Sequence, residues 1–286
     1  MRYNESYRKT ERGEGYLKNP PLHNKKLFLL DMDGTIYLDE ELFDGTTDFL
    51  EYVKKIGGKY LFLTNNSSRS VDAYVEKMHR LGIAADKEDF LTSVDALILY
   101  LRDRDYENKL LYAFGTASFR SQLAGAGFSV TDKLCDGIEA LICGFDTELS
   151  FQKLEDACIL LGRGVDFIAA NPDWVCPTWY GYVPDCGSVC EMLFRATGRR
   201  PVFIGKPKPE MALLAMEKYG FSKEETMLIG DRLYTDIACG RNAGIDAALV
   251  LSGESSLADV EISEAKPTHI YENIRAVLKE LTGEKL

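Results

Sequence analysis

The stretch that decides the fold is LFLLDMDGTIY, residues 27–37. It opens with four consecutive apolar residues and turns polar at Asp31 and Asp33. A continuous apolar run this short is typical of a strand buried on both faces, as strands of a parallel sheet are. We therefore predict a buried strand with the two aspartates at its carboxyl end.

Three further short apolar runs have the same design. They are residues 60–63 before Thr64, residues 201–204 before Lys206, and residues 227–229 before Asp231. Helical patterns at residues 71–81, 209–220 and 235–243 lie between or after these runs. This alternation predicts an α/β fold with a doubly wound parallel sheet, which binds ligands outside the carboxyl ends of its strands.

The composition is that of a globular protein. Of the 286 residues, 45% are hydrophobic and 28% are charged, and the formal net charge is −11. An acidic chain repels nucleic acid and anionic membranes, and no apolar run approaches the ~20 residues of a membrane span. The start of the chain lacks the apolar segment of a secretory signal, and seven cysteines, an odd number, favour reduced thiols. We expect a cytoplasmic protein that binds neither nucleic acid nor membrane.

The spacing of the predicted strands indicates an inserted domain. The stretch between Thr64 and Lys206 is too long for one crossover helix and carries strand-like and helix-like runs of its own. We predict a discontinuous core of residues 26–102 and 201–286, and an inserted domain of residues 103–200. Residues 1–25 are polar and are predicted to form an N-terminal arm.

Three aspartates form a candidate metal site. Asp31, Asp33 and Asp231 could supply hard oxygen ligands, which Mg²⁺ prefers. No His or Cys lies among them, so the set suits zinc poorly. The cofactor expected from these residues is therefore Mg²⁺.

Polar residues at the other strand ends suit a phosphoryl group. Lys206 offers a compact positive charge, and Thr64 with the amides of Asn65 and Asn66 offers hydrogen-bond donors. Asp31 could attack phosphorus and form an aspartyl-phosphate. Asp33 could protonate the leaving oxygen and later deprotonate the attacking water.

Four motifs resemble those of the haloacid dehalogenase (HAD) superfamily. They are DMDGTIY (31–37), TNNSSRS (64–70), GKPKPE (205–210) and GDRLYTDI (230–237). They are most similar to the phosphatase branch, the NagD-like or para-nitrophenyl phosphatase group. Two further stretches resemble the cap domain of that group: CGFDTELSFQKL (143–154) and AANPDWVCP (169–177). The resemblance spans roughly residues 26–275 and implies a Rossmann-like core with an inserted α/β cap domain.

The resemblance also implies a role for each matching residue. Asp31 would be the nucleophile and a Mg²⁺ ligand, and Asp33 the acid/base, binding the metal through its backbone carbonyl. Asp231 would be the third protein ligand, while Thr64 and Lys206 would hold the phosphoryl group. Asp236 is expected to orient Lys206 or a metal-bound water. The implied activity is Mg²⁺-dependent hydrolysis of a small phosphorylated metabolite, such as a sugar phosphate or nucleotide, through an aspartyl-phosphate.

The cap segment also carries candidate specificity residues. They are Asp173, Trp174, Cys176, Trp179 and Asp185. Asp185 lies in PDCGS (184–188), where the family usually has a glycine, and we expect it to adopt the left-handed conformation that Asp tolerates. Its charge could discourage highly charged substrates. The aromatic residues of this segment could stack on a substrate ring or pack inside the cap.

The sequence leaves two alternatives open. The same core could transfer the phosphoryl group to a second substrate, as a phosphotransferase or mutase does. It could also be a non-catalytic phosphate-binding protein, although the nucleophile, the acid/base, the lysine and the metal ligands are all present. A small phosphate ester is the expected partner, and the sequence is compatible with a homo-oligomer.

Overall fold

The computed structural model describes residues 22–178 and 180–284. Its strands are β1 Leu27–Leu30, β2 Tyr37–Leu38, β3 Glu41–Leu42, β4 Lys59–Thr64, β5 Phe90–Thr92, β6 Leu110–Phe114, β7 Ser129–Thr131, β8 Ile138–Cys143, β9 Asp166–Ala169, β10 Val175–Thr178, β11 Gly181–Pro184, β12 Val202–Phe203, β13 Thr226–Gly230, β14 Asp246–Val250 and β15 His269–Tyr271. Its helices are α1 Thr46–Lys55, α2 Val71–Arg80, α3 Ser93–Asp103, α4 Ala117–Gly125, α5 Phe151–Gly162, α6 Cys186–Thr197, α7 Glu210–Tyr219, α8 Ala238–Ala243, α9 Leu257–Ile262 and α10 Ile274–Thr282. Most of the predicted N-terminal arm lies outside the described residues.

The first sheet has six parallel strands in the order β15-β14-β13-β1-β4-β5. All four residues of β1 are buried, because apolar side chains cover both faces of the sheet. The predicted α/β fold with a doubly wound parallel sheet is confirmed. The carboxyl ends of β1, β4 and β13 meet at one edge of this sheet, and Asp31, Thr64 and Asp231 lie there.

The second sheet has five parallel strands in the order β12-β9-β8-β6-β7. It lies in the chain between β5 and β13 of the first sheet, so an additional α/β unit is inserted there. The two sheets share one hydrophobic core, in which Leu29 and Leu63 of the first sheet join Leu111 and Ile142 of the second. Among the described residues, no helix is long and apolar enough to cross a bilayer.

One predicted strand belongs to the other sheet. The run at residues 201–204 was expected beside Asp31 in the first sheet, but its strand β12 pairs with β9 of the second sheet. Val202 is 43% exposed, because β12 is a two-residue strand at a sheet edge. The prediction of a strand buried on both faces is therefore wrong here. The domain boundaries at residues 102/103 and 200/201 stay predictions.

The predicted helix at residues 235–243 begins differently. A π-helical turn, Leu233–Ile237, precedes α8. Within it the amides of Asp236 and Ile237 both donate to the carbonyl of Arg232, at 3.0 and 3.1 Å. Such turns often mark functional sites, and this one folds Asp236 back toward the end of β13.

Candidate active site

A cavity at the carboxyl edge of the first sheet brings together nine of the predicted site residues. They are Asp31, Asp33, Thr64, Asn65, Asn66, Asp173, Cys176, Asp185 and Lys206. Asp231 and Asp236 lie beside Asp31, with carboxylate oxygens of all three residues within 4.8 Å of one another. Residues at the strand ends of the first sheet and residues in segments after strands of the second sheet therefore form the site together.

Lys206 lies at the centre of this arrangement and is 2% exposed. Its Nζ is 2.5 Å from Asp31 Oδ1, 2.6 Å from Asp236 Oδ1 and 3.1 Å from the carbonyl of Leu63. Burial lowers the pKa of Lys206, but the carboxylates of Asp236 and Asp31 raise it by more, so the net shift is upward. The lysine therefore stays protonated and provides a fixed positive charge beside Asp31.

The acidic cluster of Asp31, Asp231 and Asp236 fits a divalent cation. Asp236 uses both oxygens, since Oδ1 contacts Lys206 and Oδ2 accepts the amide of Arg232. In Asp231, Oδ2 accepts the amide of Glu254 at 2.7 Å, whereas the buried Oδ1 has no hydrogen-bond partner among the described residues. A buried orphan oxygen is costly unless a cation or water satisfies it.

Electrostatics in the cluster also favour a cation. Burial raises the pKa of Asp231 to about 7, and Asp236 adds to the rise. Burial and Asp236 likewise raise the pKa of Asp31, against the lowering effect of Lys206. Three crowded carboxylates with one lysine are short of positive charge, which a bound Mg²⁺ would supply.

Gly34 of the first motif is required by this cluster. Its φ is +89°, in the region that favours glycine, and a Cβ there would lie 2.5 Å from Asp231 Oδ2. A side chain at residue 34 would therefore displace the Asp231 carboxylate.

The carboxylate of Asp33 contacts Tyr37 and Lys77. Tyr37 donates its hydroxyl to Asp33 Oδ2 at 3.3 Å, and Lys77 Nζ lies 3.8 Å from Oδ1. Lys77 also sits 3.7 Å from the centre of the Tyr37 ring. The side chain of Asp33 therefore already has partners in Tyr37 and Lys77, and the metal set of Asp31, Asp33 and Asp231 stays a prediction. The backbone carbonyl of Asp33 as a ligand stays a prediction.

The residues after β4 hydrogen-bond to one another and to Lys206. The Asn66 amide, expected as a phosphate donor, donates instead to Thr64 Oγ1 at 3.1 Å. The side chain of Asn65 clamps Lys206, accepting its amide and donating to its carbonyl, both at 2.9 Å. The side chain of Asn65 thus positions Lys206, whereas phosphate binding by Thr64 and the two asparagine amides stays a prediction.

Asp185 does not adopt the expected left-handed conformation. Its φ is −102° and ψ −172°, and its side chain caps α6 by accepting the amide of Cys186. The backbone is extended because the residue precedes a helix as its N-cap. Asp185 is buried, and this burial, with the nearby Asp173, raises its pKa to about 8.

Trp174, Tyr180 and Tyr182, the described aromatic residues of the cap segment, do not pack inside the cap. Trp174 is 50% exposed, and Tyr180 and Tyr182 are exposed as well. Trp174 lines a separate cavity of about 240 Å³ and not the cavity at Asp31. Trp179 lies outside the described residues. Three of the candidate specificity residues, Asp173, Cys176 and Asp185, line the cavity at Asp31.

Sequence reasoning missed Arg232, which lines the cavity at Asp31. Its Nη1 donates to Asp173 Oδ2 at 3.1 Å, and its Nε lies 2.8 Å from Glu254 Oε2 in an ion pair. Burial lowers the pKa of Arg232, but Asp173 and Asp231 raise it by more. Its place directly after Asp231 in GDRLYTDI was the only sequence signal, and this does not reveal its partners.

Two protein-family models match this chain. The model of the haloacid dehalogenase-like hydrolases matches residues 28–129, and a second HAD-hydrolase-like model matches residues 203–277. These matches include the segments that carry Asp31, Thr64, Lys206 and Asp231.

Individual proteins match over most of their length. An acid sugar phosphatase of Staphylococcus aureus is 31% identical over 90% of this chain and 98% of its own. A 4-nitrophenylphosphatase structure from Thermotoga maritima has a TM-score of 0.85 and 36% identity, over 91% of this chain and 98% of its own. A magnesium complex of a glycerol phosphate phosphatase from Mycobacterium tuberculosis has a TM-score of 0.83 and 29% identity, over 90% of this chain and 77% of its own.

Proposed function

Because this chain belongs to the haloacid dehalogenase-like hydrolases and is a phosphatase of their NagD-like branch, we propose that it hydrolyses small phosphorylated metabolites with Mg²⁺. The observation that carries this proposal is the Lys206 ammonium, 2.5 Å from Asp31 and 2.6 Å from Asp236. The relatives named for sugar phosphates and glycerol phosphate support a small phosphomonoester as substrate.

Asp31 and Asp231 would hold the Mg²⁺, together with the backbone carbonyl of Asp33. The orphaned Oδ1 of Asp231 supports this assignment, and a relative's structure contains magnesium. When bound, the ion would neutralise charge on the phosphoryl oxygens. Asp236 would remain the partner of Lys206, since both of its oxygens are already used.

The chain's own residues would carry the reaction in two halves. An oxygen of Asp31 attacks phosphorus, the bond to the leaving oxygen breaks, and the Asp33 carboxyl gives that oxygen its proton. Asp33 then takes a proton from water, which attacks the aspartyl-phosphate, releases phosphate and restores Asp31. Lys206 and Thr64 hold the phosphoryl oxygens in both halves.

Residues 103–200 would act as a cap that excludes water and selects the leaving group. Asp173, Cys176 and Asp185 support this role, because they reach the cavity at Asp31 from this part of the chain. The half-exposed Trp174 faces a different cavity. We therefore assign selection of the leaving group to Cys176 and Asp185 and not to Trp174.

A panel of phosphomonoesters that includes p-nitrophenyl phosphate, glycerol phosphate, sugar phosphates and nucleoside monophosphates tests the proposal. We expect phosphate release with Mg²⁺, loss of at least about 99% of it in EDTA, and recovery with excess Mg²⁺, because Lys206 alone does not balance the three carboxylates of the cluster. Full activity in EDTA would contradict the metal dependence. If the phosphoryl group is transferred to an added alcohol and no free phosphate is released, the protein is a phosphotransferase.

The acid/base role of Asp33 predicts a dependence on the leaving group. Asp33→Asn should slow glycerol phosphate hydrolysis by about 10²–10⁴-fold, and p-nitrophenyl phosphate by much less, because p-nitrophenolate leaves without a proton. Steady-state kcat values for both substrates measure this. Asp39→Asn, a matched change at an acidic residue nearby in sequence, serves as control. Equal slowing of both substrates would contradict the assignment.

A further inference from the structure

A continuous path of buried polar contacts links Lys206 to Asp173. The Lys206 amide donates to Asn65 Oδ1 at 2.9 Å, and Asn65 Nδ2 donates to Asp173 Oδ1 at 2.9 Å. Asn65 and Lys206 are almost fully buried, and Asp173 is 3% exposed. The backbone that carries the central lysine is therefore tied directly to the segment between β9 and β10.

The path continues from Asp173 to the acidic cluster. Asp173 Oδ2 accepts Arg232 Nη1 at 3.1 Å, and Arg232 Nε lies 2.8 Å from Glu254 Oε2. The Glu254 amide donates to Asp231 Oδ2 at 2.7 Å, and the Arg232 amide donates to Asp236 Oδ2 at 3.1 Å. The backbone amide of Arg232 thus contacts Asp236 directly, and its side chain forms an ion pair with Glu254, whose own amide contacts Asp231.

The members of this path come from different parts of the fold. Asn65 and Arg232 follow β4 and β13 of the first sheet, whereas Asp173 follows β9 of the second. Both oxygens of Asp173 are occupied by these residues of the first sheet. A shift of the segment at Asp173 would therefore break contacts that orient Lys206 and Asp231.

Stability alone explains this arrangement poorly. Burial raises the pKa of Asp173, and Arg232 and Asn65 only partly oppose that rise, so the charged form of this carboxyl carries a desolvation cost. Buried ion pairs are often no more stable than well-packed apolar side chains of similar volume. Partners that orient metal ligands typically change metal affinity or activity by about 10–100-fold when removed.

On the premise of the phosphatase mechanism above, we propose that Asp173 and Arg232 form a positioning pair. The pair couples the placement of the β9–β10 segment to the alignment of Lys206 and Asp231. Asp173 then acts through Asn65 and Arg232, and does not select substrates by touching them. The site is aligned when the segment is docked as it is here.

A double-mutant cycle of Asp173→Asn and Arg232→Met tests the pair. We expect each single variant to lower kcat for p-nitrophenyl phosphate by about 10-fold or more and to weaken Mg²⁺ binding by about 10–100-fold. The double variant should be less impaired than the sum of the two single effects, because both single variants remove the contact between Asp173 and Arg232. KM should change by less than about threefold. Arg232→Lys, which keeps the charge, should recover part of the Mg²⁺ affinity.

The exposed ion pair of Arg275 and Asp44, 2.7 Å apart, provides a matched control. The corresponding cycle of Asp44→Asn and Arg275→Met should leave kcat and the Mg²⁺ dissociation constant within twofold of wild type. Calorimetric titration with Mg²⁺ needs no turnover, so it tests the pair even if the wild-type protein hydrolyses no ester. Absence of hydrolysis by the wild type would refute the proposed function and not the pair. Additive effects, or a lowered Tm with unchanged Mg²⁺ affinity and kcat in Asp173→Asn and Arg232→Lys, would overturn the proposal.

Discussion

Replacing Asp31 with asparagine is expected to lower kcat by about 10⁴-fold or more, on every phosphomonoester that the wild type hydrolyses. The amide has no anionic oxygen to attack phosphorus, so no aspartyl-phosphate can form. Steady-state phosphate release measures the loss, and mass spectrometry after a rapid quench should find a phosphate adduct on wild type but not on the variant.

The fold of Asp31→Asn should survive. Lys206 keeps its contacts with Asp236 and the carbonyl of Leu63, and the neutral amide relieves the crowding that raises the pKa of Asp31. We expect a Tm within a few degrees of wild type in EDTA. Asp136→Asn, the same change at an exposed residue, should leave kcat unaltered. A folded Asp31→Asn variant that retains a tenth of wild-type kcat would exclude Asp31 as nucleophile.

Lys206→Met is expected to reduce both activity and stability. It removes the cation between Asp31 and Asp236, and Asp236 is fully buried. Breaking a buried ion pair from one side costs about 3–5 kcal/mol, which for a chain of this size corresponds to a Tm lower by about 10 °C. We also expect kcat to fall by at least about 10³-fold, since a charge that stabilises the transferring group is lost. Differential scanning calorimetry and phosphate release measure the two effects.

Two variants separate the catalytic from the structural part of that result. Lys25 is 4% exposed and lies 2.7 Å from Asp246, before β1 and so at the opposite edge of the sheet. Lys25→Met should lower the Tm comparably while kcat stays near wild type. Adding Asp236→Asn to Lys206→Met should recover part of the Tm but no activity. Recovery of activity in that double variant would mean that Lys206 only neutralises Asp236.

The residues of the site were predictable because their signals are local. Asp31, Thr64 and Asp231 each follow a short apolar run, and parallel strands bring their carboxyl ends to one edge. The sequence placed Lys206 beside Asp31, where the structure also has it, but on a strand of the wrong sheet. Its strand β12 pairs with β9, and the following turn carries the lysine across to Asp31.

The partners of these residues were not predictable, because they depend on side-chain directions and on contacts between distant segments. Asp33 has the spacing of a carboxylate ligand, yet its side chain contacts Tyr37 and Lys77. Asp185 was expected in a glycine-like turn, but the start of α6 makes it an extended N-cap.

The sequence by itself determined the α/β class, the edge of the sheet where the site lies, and the phosphoryl chemistry, because strand periodicity and motif order are properties of neighbouring residues. Only the tertiary structure decided that Asp173 pairs with Arg232 and that one oxygen of Asp231 has no hydrogen-bond partner within residues 22–178 and 180–284. Residues 173 and 232 are far apart in the chain. Their contact exists because two sheets pack on one core, and the energy of a buried charge depends on that packing.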